Sequence, residues 1–402
     1  MFQRVCFSAF ASFALCGVSS AETQPITLYG VIDTGISYVH VARDRVLAVP
    51  GVDASQFGMD SGVQSGSRWG LRGVESIGDG WSVSFVLEAG VNSLNGDREQ
   101  GGRLFGRQST IALNNPARLY LQMGRQTNLA TNYFDEIDPF EESFGQANMG
   151  ASFGSVNTVR YDNLVIAQTP VWRGLQLGLG YSFNTGQSAL YSSSTGPVIA
   201  PASTYFGTNA NMRALTAGVQ FNHGPWDIAA SYDRVFAAGQ IPDPVSGSRP
   251  NQDQVTPTAW VIGLSYDFGV VRVSGAYGQT YDGAFIGNGP GNGLSGTGLD
   301  TETAGAGVGF IPGFDSQSAL IGFVMPMGGI DDHLMISWQM QQPQGALGDN
   351  PYFATQNIIG AAYTYHLSKR TNFYFWGSYG DNFQMMKTAR SSVVGAGIRH
   401  LF

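Results

Sequence analysis

Two pairs of arginines have a spacing that collects positive charge on one surface. Arg68 and Arg72 are four residues apart, and Arg103 and Arg107 repeat that spacing. Residues four apart in an extended strand point to the same face, while alternating apolar neighbours such as Trp69 take the opposite face. The second and fourth predicted strands are therefore each expected to present two guanidinium groups to one side of a wall.

Five carboxylic acids fall within eight residues of a long segment, 127–157. They are Asp135, Glu136, Asp138, Glu141 and Glu142. Such a cluster is usually a solvated surface. Inside a channel, however, these acids would face the arginines, and rings of side-chain charge set selectivity in pores. The resulting transverse field would orient dipolar solutes. The alternative is that the arginines brace the segment by ion pairs.

Three further charged residues belong to this hypothesis. Asp33 and Glu88 alternate onto the inward faces of their segments, where they could line a lumen or pair with arginine. Regular alternation would put Arg125 on the same outward face as apolar residues such as Met123. A kink at Gly124 would turn the arginine inward instead. These side chains extend the candidate charged surface beyond the paired arginines.

Other chemistry is not indicated. The histidines lack metal-ligand spacing, and a dinucleotide-like glycine fingerprint at 291–296 is not followed by a helix. No metal, cofactor or catalytic residue is predicted. An outer-membrane enzyme would need a nucleophile, a base and an orienting partner assembled from distant strands. An adhesin or receptor that uses its loops is the other alternative. Conductance without hydrolytic activity would favour a channel.

The beginning of the chain indicates export. Arg4 precedes an apolar run that ends near Val18, and small residues to Ala21 form a cleavage site, so residues 1–21 are predicted to be a signal peptide. A retained anchor or a lipoprotein processed at Cys16 are the alternatives. The mature domain is expected to be 22–402, without cysteine and therefore without disulfides or thiolate sites.

The composition favours a membrane protein without spanning helices. Charged residues are only 12% of the chain, against roughly 25% in soluble domains. After the signal no apolar stretch approaches the ~20 residues of a transmembrane helix. Closed barrels are the other structure that satisfies the backbone in lipid. The net charge of −8, with no basic patch, argues against nucleic acid.

A period of two runs along the chain. In 81–89 one face reads Trp, Val, Phe, Leu, Ala and the other is mainly polar, which is typical of a barrel strand. Short turns alternate with long loops near 40–65, 127–157, 185–211, 238–256 and 282–315. Sixteen strands leave an aqueous lumen. The predicted strands lie near 26–39, 66–75, 80–91, 103–114, 117–126, 158–168, 173–184, 212–222, 226–237, 257–268, 270–281, 316–326, 331–342, 356–367, 371–380 and 392–402.

Several motifs resemble those of Gram-negative general porins of the neisserial and β-proteobacterial type. They are ITLYGVIDTG at 26–35, SRWGLRG at 67–73, GRLFGRQ at 102–108, MGRQ at 123–126 and GIRHLF at 397–402. The resemblance spans the mature chain, although between about 185 and 390 it rests on alternation alone. It implies a sixteen-stranded antiparallel transmembrane β-barrel in the outer membrane, assembled as a homotrimer in which each subunit has its own pore.

The resemblance also implies roles for particular residues. The third loop, 127–157, is expected to fold inward as the constriction, and Arg125 is expected to be a lumen arginine. Phe402 matches the terminal residue that the outer-membrane assembly machinery reads. Asp138-Pro139-Phe140-Glu141 only loosely matches the family's Pro-Glu-Phe-Gly motif, which leaves the detailed fold of the loop open.

The function implied is passive diffusion of small hydrophilic solutes and ions through a water-filled channel surrounded by outer-membrane lipid. A substrate-specific channel is the alternative. The arginines favour anions and the loop acids favour cations, so the sign of the preferred charge stays open.

Overall fold

The computed structural model describes residues 26–46, 51–157, 159–193, 196–200, 204, 206–238, 255–285, 306–329 and 331–402. The predicted signal segment, 1–21, lies outside these residues. The strands are β1 Thr27–Arg43, β2 Val52–Ser61, β3 Arg68–Gly78, β4 Trp81–Gly90, β5 Gln108–Asn115, β6 Leu119–Thr127, β7 Arg160–Gln168, β8 Leu175–Ser182, β9 Ser188–Ser193, β10 Gly196–Ala200, β11 Arg213–His223, β12 Trp226–Phe236, β13 Thr258–Asp267, β14 Arg272–Tyr281, β15 Ala284–Phe285, β16 Ala306–Phe310, β17 Asp315–Pro326, β18 His333–Gln344, β19 Gln356–Ser368, β20 Thr371–Asp381 and β21 Ala389–Leu401.

The main sheet closes on itself as an antiparallel barrel. The last strand, β21, pairs with β1 over thirteen positions, from Val31 opposite Leu401 to Arg43 opposite Ala389. The other edge of β1 is shared by β3 and then β2, which follow one another along it. These two strands occupy one position in the wall, so the barrel has sixteen strands, as the alternation predicted.

One predicted loop contains barrel structure. The segment 40–65 was expected to be irregular, but β1 continues to Arg43 and β2 pairs with it from Thr34 onward. The sequence of β2, VDASQFGMDS, lacks regular apolar alternation, which is why periodicity missed it. Two other predicted loops, 185–211 and 282–315, contribute β9, β10, β15 and β16 to a separate four-stranded sheet.

The fourth predicted strand begins later than expected. The structure places the start of β5 at Gln108, so Arg103 and Arg107 precede the strand instead of sharing one of its faces. A short helix, α1 Glu99–Gly102, and a turn occupy this stretch. Between the two arginines the backbone is not extended, because residues 104–105 form a turn. The rule that residues four apart in a strand point to the same face therefore does not apply to these two arginines.

Alternation separates the two faces of the wall. On β12, Ser231 and Asp233 are buried inside, while Tyr232 between them is 36% exposed on the outside. The outer surface is rich in exposed leucines such as Leu177 and Leu179, an arrangement that suits contact with lipid. The buried apolar clusters lie inside the barrel, between an inward-folded loop and the wall.

The helices are short. Besides α1 they are α2 Leu129–Phe134 and α3 Gly345–Gly348, with single 3-10 turns at 145–147, 149–151, 154–156, 208–210 and 383–385. In the described part of the chain, no helix is long and apolar enough to span a membrane.

Candidate constriction site

The segment after β6 enters the barrel and is fixed at its start to the opposite wall. Asn128 caps α2 by accepting a hydrogen bond from the backbone N–H of Thr131 (3.1 Å). Its side-chain amide donates to Asp233 Oδ1 on β12 (2.9 Å). The backbone N–H of Leu129 donates to Thr216 Oγ1 on β11 (3.0 Å). Residues 128–157 are called the inward loop below.

The far part of the inward loop is held by side chains of β17 to β21. The amide of Gln339 on β18 donates to the carbonyls of Gln146, Ala147 and Asn148 at 2.8–3.2 Å. Ser318 on β17 donates to the carbonyl of Ser152 (2.6 Å). Side-chain amides on the barrel wall thus satisfy loop carbonyls that are buried away from water, as buried polar groups require.

Because these anchors attach the inward loop to part of the barrel wall, the remaining part of the wall faces the loop from the other side. The inward loop lies against β8, β11–β14 and β17–β21, and Phe144 donates from its backbone to the carbonyl of Val63 beyond β2 (2.7 Å). The strands β3, β4 and β5 are not among these anchors, and they form the side of the barrel where a passage beside the loop is expected. We call this wall the passage wall.

The passage wall carries a group of cations around one carboxylate. Glu88 on β4 accepts from Arg107 Nε (2.7 Å) and from the Tyr29 hydroxyl (2.9 Å), and Arg68 Nε lies 3.5 Å from it. Arg72 lies over the ring of Tyr29, 5.2 Å from its centroid. We call these five residues the Glu88 group; it holds three guanidiniums and one carboxylate, which Arg68 and Arg107 contact.

Arg103 and Arg125 belong to a different group. Both bind Asp162 on β7, with contacts of 2.6 and 2.7 Å. Arg103 also donates to the carbonyl of Gly186 (3.0 Å) and Arg125 to that of Gly106 (2.6 Å). These three charged residues, the Asp162 group, tie adjoining loops to the wall; none of these contacts is with the segment 127–157 that the bracing alternative concerned.

The position of Arg125 follows from the irregularity at Gly124. Pairing between β6 and β7 shifts register between Gly124 and Gln126, and Gly124 has φ +129°. A side chain there would meet the carbonyl oxygen of Ser109 at 2.0 Å, so glycine is required. The expected kink is present, and it directs Arg125 toward Asp162 instead of toward the Glu88 group.

Among the loop acids, Asp138 has a structural role. It is fully buried, and it accepts hydrogen bonds from the backbone N–H groups of Phe140, Glu142 and Met149 at 3.0–3.2 Å. Glu141 and Glu142 adopt left-handed φ of 50° and 56°, a conformation that costs non-glycine residues energy. Asp138 therefore holds a strained turn instead of facing the solute, contrary to the expectation for it.

The remaining acids are spread along the inward loop. Burial and the charges of Glu141 and Asp138 raise the pKa of Asp135 to about 7. Burial and Asp227 raise the pKa of Glu136. Glu141 is exposed. Burial raises the pKa of Glu142 well above its usual value, and Arg160 opposes that shift. Asp135, with a pKa of about 7, is therefore only partly ionised at neutral pH.

Asp33 does not line the lumen. It is fully buried, and its two oxygens accept from the Tyr374 hydroxyl (2.6 Å) and from the backbone N–H of Ser65 (2.7 Å). The backbone of Asp33 also exchanges hydrogen bonds with the hydroxyl of Ser67. The segment between β2 and β3 covers this carboxylate, which sequence parity did not reveal. Glu88, in contrast, pairs with arginine, which was one of the two arrangements expected for it.

Phe402 lies at the seam of the barrel. Its backbone exchanges two hydrogen bonds with Gly30, at 3.0 and 3.1 Å. Its ring is 49% exposed and occupies the space where a side chain on Gly30 would lie. Gly30 therefore permits the last residue to complete the pairing of β1 and β21.

Two arginines that interact with the charged residues of the site were missed from the sequence. Arg160, the first residue of β7, interacts electrostatically with Arg107 and Glu88 and also with Glu142 of the inward loop. Arg399 donates to Asn372 Oδ1 (3.0 Å) and interacts with Glu141. The inward position of Arg399 could have been predicted from alternation, since its neighbours on β21 face outward. Arg160 directly follows the loop, where alternation makes no prediction.

The fold and this site define a channel-forming outer-membrane barrel. A family model described as Gram-negative porin matches residues 8–383, so the chain belongs to the Gram-negative porin family. It forms a porin channel in the outer membrane for small hydrophilic solutes and ions, and it is not an enzyme. In the part of the chain that the structure covers, no cluster of three or more potential metal ligands occurs.

Known relatives agree with this assignment. An outer membrane porin of Bordetella pertussis is 42% identical over 98% of this chain and 97% of its own length. Outer membrane porin protein 32 of Delftia acidovorans is 27% identical, over 96% of this chain and 90% of its own. Among solved structures, an anion-selective porin from Comamonas acidovorans has a TM-score of 0.66 at 22% identity, covering 94% of this chain and all of that one.

Proposed function

We propose that the passage between the Glu88 group and the inward loop selects for anions. The observation that carries this proposal is the charge balance of the passage wall, where Arg68 and Arg107 pair with Glu88 while Arg72 lies over the ring of Tyr29. Arg160 adds a fourth guanidinium next to this group. An excess of positive charge in a narrow aqueous passage raises the local concentration of anions.

The inward loop opposes this charge only in part. Asp138 is committed to backbone N–H groups. Asp135 has a pKa of about 7, so it is partly protonated at neutral pH. Glu142, whose pKa is also raised, faces Arg160. The remaining acids give the passage a transverse field that orients dipolar solutes while leaving the wall's positive charge dominant.

Further roles from the sequence belong to the same proposal. Residues 1–21 direct export and are removed, Phe402 is read by the outer-membrane assembly machinery, and three copies assemble with separate pores in outer-membrane lipid. The constriction proper comprises Arg68, Arg72 and Arg107 with the loop acids Asp135, Glu136, Glu141 and Glu142. The anion selectivity named for the Comamonas acidovorans porin is in line with the preferred sign of charge.

The test is the reversal potential of the purified porin in a planar bilayer with a KCl gradient. Arg72→Ala removes an exposed charge that pairs with no carboxylate among the described residues, and we expect the chloride-to-potassium permeability ratio to fall about fivefold, corresponding to about 1 kcal/mol for one solvated charge. Arg125→Ala is the control, since its charge is paired with Asp162 and its side chain is only 15% exposed. An equal change in both variants, or none in Arg72→Ala, rejects the proposal.

A further inference from the structure

Two arginines stand on the outer face of the barrel near one rim. Arg213 begins β11 and lies opposite Phe236 on β12, while Arg234 lies opposite Leu215. The inward positions of these strands are known from Thr216 and Asp233, which contact the inward loop. Alternation therefore directs Arg213 and Arg234 outward. The short turn between β11 and β12 is at the other end, so this rim is the extracellular one.

The two guanidiniums converge on one aromatic ring. Their Cζ atoms lie 5.4 and 5.3 Å from the centroid of Phe236, within the range of cation–π attraction. The ring thus holds two like charges close together on the outer surface. Like charges repel, so this arrangement favours an anion that would bridge them.

Neither guanidinium is neutralised within the described part of the chain. Arg213 donates to Asn209 Oδ1 (3.0 Å) and Arg234 to Thr256 Oγ1 (3.1 Å), both uncharged acceptors. The Nε atom of each arginine is buried without a partner among the described residues. Four arginines of the Glu88 and Asp162 groups, in contrast, contact carboxylates: Arg68, Arg103, Arg107 and Arg125.

The level of this pair relative to the membrane is set by its neighbours. Tyr232, two residues before Arg234 on the same face, is about 7 Å nearer the barrel's middle. The rings of Tyr181 and Phe183 on the adjoining strand contact each other at 5.0 Å. Below them lies exposed Leu179. An aromatic belt above an apolar band marks the membrane interface, so the arginines lie at the level of lipid headgroups.

We propose that Arg213 and Arg234 bind a phosphate group on the glycolipid of the outer leaflet, the phosphorylated glucosamine of lipid A. Guanidinium matches phosphate geometry with paired N–H donors, and the outer membrane supplies this lipid at the level of the pair. The ring of Phe236 presets the spacing of the two cations, and the leucines beneath accept the acyl chains. A free phosphate ion would lack that second contact.

The experiment measures binding of lipid A to the purified full-length porin in detergent by native mass spectrometry. The double variant Arg213→Gln/Arg234→Gln should weaken binding of diphosphorylated lipid A about tenfold or more. Enzymatically dephosphorylated lipid A should bind the wild-type porin as weakly as the phosphorylated lipid binds the variant. Inorganic phosphate at millimolar concentration should not compete.

The matched control is Arg173→Gln. Arg173 lies in a short turn at the opposite rim, and it too is stacked on an aromatic ring, 5.4 Å from the centroid of Trp172. Its loss should leave lipid A binding unchanged, and unchanged single-channel conductance verifies the fold of every variant. Wild-type affinity in the double variant, or competition by inorganic phosphate, overturns the proposal. So does loss of oligomerisation with lipid binding intact, which would indicate a face between copies of the chain.

Discussion

The two arginine groups of the wall use the same residue type for different purposes. In the Asp162 group, two guanidiniums share one carboxylate and donate their other hydrogens to loop carbonyls. In the Glu88 group two guanidiniums also share one carboxylate, but a third, that of Arg72, is exposed beside Tyr29 and adds a charge that pairs with no carboxylate among the described residues. The first group has one positive charge in excess and holds loops; the second has two in excess, and one of them, on Arg72, is exposed to water. The balance of partners, not the presence of arginine, decides which charges reach a solute.

The largest effect that separates the groups is expected from Asp162→Ala. Side-chain exposure is only 15% at Arg125, so removing its carboxylate leaves a mostly buried charge unpaired. We expect the free energy of unfolding to fall by about 2 kcal/mol. This is less than for a fully buried pair, because Arg103 is 37% exposed and water screens its charge. Urea unfolding followed by tryptophan fluorescence measures it, and the reversal potential should stay near wild type.

The control for that variant is Asp53→Ala. Asp53 also pairs with a basic side chain, that of His40, but it is 85% exposed, and its removal should leave stability unchanged. Wild-type stability in Asp162→Ala, together with a shifted reversal potential, would mean that the Asp162 group serves permeation after all.

The next effect in size is expected from Glu88→Gln. The substitution keeps an acceptor for Arg107 and Tyr29 but removes the only carboxylate of the Glu88 group. The permeability ratio should move toward chloride, about fivefold, from the release of one compensating charge. Reversal potentials in a KCl gradient give the ratio. A shift toward potassium would contradict the charge balance assigned to the passage wall.

The smallest effect is expected from pH. Because burial and neighbouring acids raise the pKa of Asp135 to about 7, this carboxyl gains a proton as the pH falls from 8 to 6. The inward loop then loses negative charge, and anion preference should rise about twofold over that interval, since only one partly opposed charge changes. Reversal potentials at each pH measure this. Asp135→Asn should flatten the profile, and an unaltered profile would assign the titration to another group.

The sequence determined much of the fold because alternation is a local property of an extended backbone. Side chains on successive residues take opposite faces, so sixteen strands and the inward direction of Arg68 and Glu88 followed from periodicity. Where the backbone departs from extended geometry, the same rule failed. It misassigned Arg103 and Arg107 to a strand, and it missed β2, whose pairing with β1 has no apolar signature.

Tertiary structure alone decided which charges meet. The partners of a carboxylate depend on register between strands and on the path of loops, and neither is encoded in the spacing along one strand. Asp33 alternates inward like Glu88, yet the segment after β2 buries the first and leaves the second among arginines. Asp138 stands in the acidic run and still turns to backbone N–H groups. The sequence by itself determined a porin barrel with an acidic third loop, and folding determined which of its charges face the solute.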